Sequence, residues 1–231
     1  MNYAQEFKNY ATQHLGISEC QFQAWEDIQN RIYGPSASLT PYILEERELR
    51  VTQMDIFSRM MMDRIIWLAG PVNDRMSTVV QAQLMFLDNL EVKDITLHVD
   101  TPGGSVKSGL SIVDVMNYIS SEILTVNTGM AASMGSILLG AGTKGKRFTL
   151  PNSRVMLHQV STGAQGNIQD IRRSIAEGEK YNEKLFKMLA EYTNKTPEQV
   201  LKDADRDLWL SAEEALEYGI IDGIITNKKK K

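Results

Sequence analysis

Glu122-Ile-Leu-Thr-Val-Asn-Thr-Gly129-Met-Ala-Ala-Ser133-Met-Gly135-Ser-Ile-Leu-Leu-Gly140 is the stretch on which the fold turns. Ile123 to Val126 is a short aliphatic run suited to a buried strand, and Gly129 punctuates it. Ala131 to Leu139 is then a small-residue run that reads as a helix. Strand, glycine turn and helix form the repeating unit of a parallel α/β fold. The same unit places Ser133 at the helix start, exposed and in the positive field of the helix N-terminus, where the next backbone N–H can face a developing oxyanion. The arrangement resembles a nucleophile elbow, with Ala131 where G-x-S-x-G has its first glycine. The alternative is a serine that caps a helix.

The alternation continues on both sides. On the N-terminal side the pattern predicts a helix from Met54 into Asp63, a strand Ile65–Ala69, a helix from about Ser77 to Leu90 and a strand Ile95–Val99. Thr101-Pro-Gly-Gly104 follows that strand and precedes a helix running from Ser105 to about Ile119. On the C-terminal side come strands around Phe148 and Met156, a loop at Gly163–Asn167, and a long charged helix from Ile168 to Tyr192. The apolar residues of that helix are too sparse to bury it, so it projects or meets a partner. Thr196-Pro-Glu-Gln199 and Ser211 with Glu214 read as capping boxes. Leu208–Leu210 and Ile220–Ile225 complete an α/β fold with mainly parallel strands.

The ends differ from this pattern. Residues 1–37 are polar and Gln/Asn-rich, and Gly34-Pro-Ser-Ala-Ser38 breaks any helix there, which predicts an appended segment before a domain spanning 38–226. Residues 227–231 carry a lysine run that reads as a solvated tail.

Composition removes several classes of function. The 231 residues carry 25 Lys+Arg against 29 Asp+Glu, a net charge of −4, which argues against a nucleic-acid surface. No apolar run reaches the length of a membrane span. The one cysteine, Cys20, has no internal disulfide partner, and the first thirty residues lack a secretory pattern, so a cytoplasmic location is expected. With three histidines and no H-E-x-x-H or paired C-x-x-C, no metal site is expected.

A serine nucleophile needs a base, and the candidates are His14, His98 and His158. His14 lies in the appended segment. His98 alternates with Leu97 and Val99 and so faces away from them, while His158 ends the run Val155-Met-Leu157 and opens into a polar loop. Periodicity favours His158 only modestly. Many acids could orient the base, and Asp207 is one of few at a loop-to-strand junction. The amides of Thr101–Gly104 could line an oxyanion site or simply make a tight turn. Gly140-Ala-Gly-Thr-Lys-Gly-Lys146-Arg147 approaches a phosphate-binding loop, but Arg147 stands where Ser or Thr is required and the strand–helix context is inverted.

Thr101–Gly104, Gly129–Gly135, Pro151-Asn-Ser-Arg-Val-Met-Leu-His158-Gln159 and Asp205-Arg-Asp207-Leu-Trp-Leu-Ser211 through Gly219 together resemble the Clp protease family of serine peptidases, in order over roughly residues 39–226. The resemblance implies a crotonase-like β/α spiral with the long helix as a projecting handle. It also implies two stacked heptameric rings, a tetradecamer enclosing the active sites, and a partner Clp ATPase that spends ATP to unfold protein substrates and feed them in. No cofactor of the chain itself is implied. By position, Ser133 matches the nucleophile, His158 the base and Asp207 the acid. Gly104 and Met134 match the backbone oxyanion donors, Asp205 and Arg206 the ring–ring contact, and Thr96 and His98 the ATPase-docking pocket. The segment before Leu39 matches a propeptide removed by self-cleavage, as in a zymogen.

Three departures stand out, the first being an N-terminal segment through Ser38 that is longer than most propeptides of the family. Val160-Ser-Thr-Gly163 replaces the proline and glycine pair usual after His158-Gln159, and Thr96 and His98 replace an aromatic pair. An exposed His98 would titrate near pH 6.5. A catalytically silent ring subunit and an acyl-CoA enzyme of the crotonase fold are the competing readings.

Overall fold

The computed structural model describes residues 42–47, 50–161 and 163–226. The expected segments 1–37 and 227–231, with His14 and Cys20, lie outside the described residues. The chain separates into two compact units, Met1–Arg59 and Met60–Lys231. In the first, β1 (Tyr42–Arg47) and β2 (Arg50–Asp55) pair antiparallel, Tyr42 opposite Asp55. The helix expected from Met54 starts two residues later, as α1 (Ile56–Met62), because Met54 and Asp55 are held in the β2 ladder.

The second unit is built on a seven-stranded sheet. β3 (Ile65–Ala69) leads to α2 (Asp74–Leu90), β4 (Ile95–Thr101), α3 (Val106–Tyr118) and β5 (Ile123–Ala132). α4 (Met134–Gly140), β6 (Arg147–Thr149) and β7 (Arg154–Leu157) follow, then α5 (Ile168–Thr193), α6 (Pro197–Asp203), β8 (Leu208–Leu210), α7 (Ala212–Tyr218) and β9 (Gly223–Ile224). The strand order is β3-β4-β5-β6-β9, all parallel, with β7 parallel on the far end of β5 and β8 antiparallel on β7. This is the mixed α/β fold expected from the sequence. The last strand is shorter than Ile220–Ile225 because Ile220 and Ile221 are core residues outside the ladder.

Alternation decides the faces. Ile66 and Leu68 on β3, with Leu97 and Val99 on β4, are buried under the helices, against Val80, Leu84 and Leu87 of α2 and Ile112 and Val113 of α3. Burying side chains of this size contributes about 1.5–3 kcal/mol each before chain entropy is offset. Every residue of α4 is buried, which suits its small and aliphatic composition. α5 divides in two: Ile168 and Ile175 are exposed in its first half, while Leu185, Phe186, Leu189 and Ala190 enter the core in its second.

β5 is longer than its aliphatic core suggested. Thr125–Asn127 pair with β6 and Met130–Ala132 with β7, so the strand changes partner midway. Buried Asn127 bridges the change: its carboxamide donates to the Arg154 carbonyl and accepts from the Gly129 N–H. This pairing overrides the helical reading of Ala131 and Ala132. The Ser211–Glu214 capping box forms in full. At Thr196 the hydroxyl accepts from the Gln199 N–H, but the Gln199 side chain turns to Asp203 instead.

Candidate active site

Strand register brings the candidate residues together. β7 and β8 run antiparallel with Leu157 opposite Leu208, so one residue beyond the ladder His158 faces Asp207. β5 and β7 run parallel with Ala132 opposite Met156, and the Ser133 N–H donates to the Met156 carbonyl at 2.9 Å. Ser133 and His158 therefore leave neighbouring strands at the same end of the sheet, where the Thr101–Gly104 turn also leaves β4. The His158 Nε2 lies 2.8 Å from the Ser133 Oγ, and its Nδ1 lies 3.3 Å from the Asp207 Oδ1. With the Nδ1–H donating to the carboxylate, Nε2 is left to accept the serine hydroxyl proton. The His158 side chain is 27% exposed and that of Asp207 is 61% exposed.

Ser133 sits at φ 55°, ψ −121°, a region that non-glycine residues rarely occupy, and its side chain makes no cap bond. The hydroxyl is thus turned to the imidazole rather than spent on the helix. Packing enforces this conformation. Gly103 (φ +90°) lies so close that an added Cβ would stand 2.6 Å from the Ser133 Cβ and 2.7 Å from the Ala132 carbonyl oxygen. Its N–H donates to the Thr101 Oγ1, its carbonyl accepts from the Val72 N–H, and the Val72 carbonyl accepts from the Ser105 N–H. Met134 is buried with its side chain over Gly109 of α3, where a Cβ would come within 2.2 Å of the methionine Cγ. As the first residue of α4, Met134 has an N–H with no acceptor inside the helix. At seven residues α4 is too short to supply much of the field expected at the elbow, so the local N–H groups matter more.

Gly104, Ser133, Met134 and His158 line one cavity of about 220 Å³. Its apolar walls include Val106 of α3, Ile137 of α4, and Leu185, Phe186 and Leu189 of α5. The sequence reading did not assign these walls. The signal was present in α5, whose last two turns gather their apolar residues on one stripe, and at Gly109, a costly helix-interior glycine that marks a close approach.

The remaining candidates lie apart from the cavity. Asp205 and Arg206 are exposed beside Asp207, and Asp205 accepts from the Gln159 Nε2 through both its carbonyl (3.2 Å) and its Oδ1 (3.1 Å). Thr96 and His98 lie on β4, on the face opposite Leu97 and Val99. The expectation of an exposed imidazole at 98 is corrected. His98 is part-buried and stacked on Trp67, its cross-strand neighbour, with ring centroids 4.6 Å apart, and desolvation holds its pKa below the ordinary value. In the phosphate-loop-like run, Lys146 is paired with Asp94 and Glu122 and Arg147 with Asp222, which leaves neither cation for a ligand. Among the described residues no cluster of three or more His, Cys, Asp or Glu could hold a metal, and no helix is long and apolar enough to cross a membrane.

Residues 47–228 match the family described as Clp protease. The chain belongs to that family. It is 47% identical over 226 residues to the ATP-dependent Clp protease proteolytic subunit of Porphyromonas gingivalis, covering 97% of this chain and 99% of that one. Its likeness to the protein of the same name from Bacteroides fragilis is 47% over 224 residues, covering 96% and 99%. The Streptococcus pyogenes protein of that name is 48% identical over 196 residues, covering 84% of this chain and all of that one. For a Clp protease family member, the juxtaposition of Ser133, His158 and Asp207 is a geometry that can carry acyl transfer.

Proposed function

We propose that this chain is the proteolytic subunit of an ATP-dependent Clp protease, a serine endopeptidase that cleaves unfolded proteins. The observation that carries the reading is the 2.8 Å contact from the His158 Nε2 to the Ser133 Oγ, in the cavity that Gly104 and Met134 also line. Family membership over nearly the whole chain supports it.

In this reading the His158 Nε2 takes the hydroxyl proton as the Ser133 Oγ attacks a peptide carbonyl carbon. The Gly104 and Met134 N–H groups receive the oxyanion, and the carboxylate of Asp207 holds the Nδ1–H and steadies the imidazolium. The protonated Nε2 then donates to the leaving amine, and the acyl ester forms on Ser133. Water, giving its proton to His158, attacks the ester; the protonated His158 returns that proton to the Ser133 Oγ as the acyl C–O bond breaks, and the peptide acid and free Ser133 are released. Each step needs only these groups, so the chain uses no cofactor of its own.

The partners follow from the same reading. Copies of the chain form two stacked heptameric rings in the cytoplasm. The exposed first half of α5, with Asp205 and Arg206, meets the opposing ring, and Thr96 and His98 lie toward the docking site of a Clp ATPase. Labelling with a fluorophosphonate tests the catalytic assignment: the adduct is expected on the Ser133 peptide. A catalytically silent ring subunit would take no label, and an acyl-CoA enzyme of related fold would take none at Ser133.

A further inference from the structure

The imidazole of His158 must be held to a few tenths of an ångström to keep its 2.8 Å contact, yet β7 ends at Leu157. No strand ladder fixes residues 158–160. Two other contacts do. On one side Gln159 reaches Asp205, as described above. On the other, the Val160 N–H donates to the Asn182 Oδ1 of α5 at 2.9 Å, in a part-buried setting. Asn182 lies one turn before Leu185 and Phe186 and on their stripe of the helix, so its carboxamide is carried by the half of α5 that is anchored in the core. A proline at 160 would have no N–H to offer, so this tether depends on a residue other than proline standing there.

We propose that Asn182 is a positioning residue for the base of the reaction: through the Val160 N–H it ties the segment just after His158 to the core-anchored part of α5. Asn182 does not line the cavity and touches no reacting atom, so its effect belongs on the chemical step and not on substrate binding. The inference rests on the peptidase reading above. A hydrogen bond of this kind, when lost, leaves the Val160 N–H part-buried without a partner and the His158 segment free to drift.

The test measures kcat and KM for a fluorogenic peptide on the full-length protein, with fluorophosphonate labelling of Ser133 in parallel. Asn182→Ala should lower kcat and the labelling rate roughly three- to tenfold, as expected for one such bond, with KM within about twofold of wild type. Asn182→Asp, which keeps an acceptor at the same reach, should recover most of the rate. Val160→Pro deletes the donor and should lower kcat by a similar factor, its KM being read apart because Val160 itself lines the cavity, and Val160→Pro combined with Asn182→Ala should cost no more in kcat than either alone.

Wild-type kcat in Asn182→Ala would overturn the proposal, as would an Asn182→Asp rate no better than that of alanine, or additive losses in the double variant. If Asn182→Ala does not fold, as judged by its thermal midpoint, Asn182→Leu carries the same test with a side chain of closer volume. A wild-type enzyme that takes no label at Ser133 would instead sink the peptidase reading, so the two failures are distinguishable.

Discussion

The two ends of the Ser133–His158–Asp207 array are built in opposite ways. At the serine end the backbone is strained, Met134 is buried, and Gly103 and Gly109 bring neighbouring backbone and side chain into contact with the elbow. At the aspartate end the carboxylate is 61% exposed, stands 3.3 Å from the imidazole, and lies on a loop whose neighbours Asp205 and Arg206 are also exposed. Ser133 is therefore held by the core, whereas Asp207 is held by strand register and a few polar contacts. The fold packs the backbone around Ser133 tightly and leaves the Asp207 carboxylate at the surface.

Substitutions can break or sharpen that contrast. The largest effect is expected for Ser133→Ala, which should cut peptide hydrolysis about a millionfold while leaving the fold intact. Turnover within tenfold of wild type in a purified sample would refute the role of the rigid end. Asp207→Ala should cost less, about ten-thousandfold in kcat, because the serine and the oxyanion donors remain in place. A loss equal to that of Ser133→Ala would mean that the exposed end is as tightly integrated as the buried one.

Gly103→Ala probes the packing itself. Its Cβ would meet the Ser133 Cβ and the Ala132 carbonyl, and its φ of +90° is strained for any side chain. Activity should fall about a hundred- to a thousandfold, the scale of a misplaced oxyanion donor. Normal kcat with normal folding would show that the turn can yield without disturbing the elbow.

The smallest effect concerns His98, far from the array. Its pKa is lowered in the folded chain by desolvation beside Trp67, while the unfolded chain takes up the proton near pH 6.5. Stability from the neutral ring is thus complete above about pH 6.5 and is lost as pH falls through the lower folded value. His98→Phe should flatten the decline of the thermal midpoint between about pH 7.5 and 5.5. An unchanged slope would mean that another group governs it.

Legibility in the sequence follows the range of the interactions. Local patterns gave the parallel α/β class, the strand–turn–helix around Ser133 and the Ser211–Glu214 cap, because each is set within a few residues. Those patterns failed where distant segments compete: Ala131 and Ala132 look helical but pair with β7, and Met54 is captured by its hairpin partner. Choosing His158 over His98, and Asp207 over other acids, was beyond periodicity, since it depends on a β7–β8 register between residues some fifty positions apart. The family resemblance supplied that choice. Asn182 left no mark of its own, because a single polar residue on a charged helix looks like any other.

That register has a consequence for insertions and deletions. In β7, Val155, Met156 and Leu157 are all buried, so the strand has no inner or outer parity by which to align its partner. β8 supplies it: Leu210 is buried while Trp209 is 42% exposed. Slipping β8 by one residue would exchange those faces and carry Asp207 out of reach of the imidazole. A change of length between α6 and β8 is therefore tolerable only if the loop absorbs it ahead of Asp207, whereas residues 163–167, exposed ahead of α5, lie outside both ladders and can lengthen without disturbing the phase of either strand.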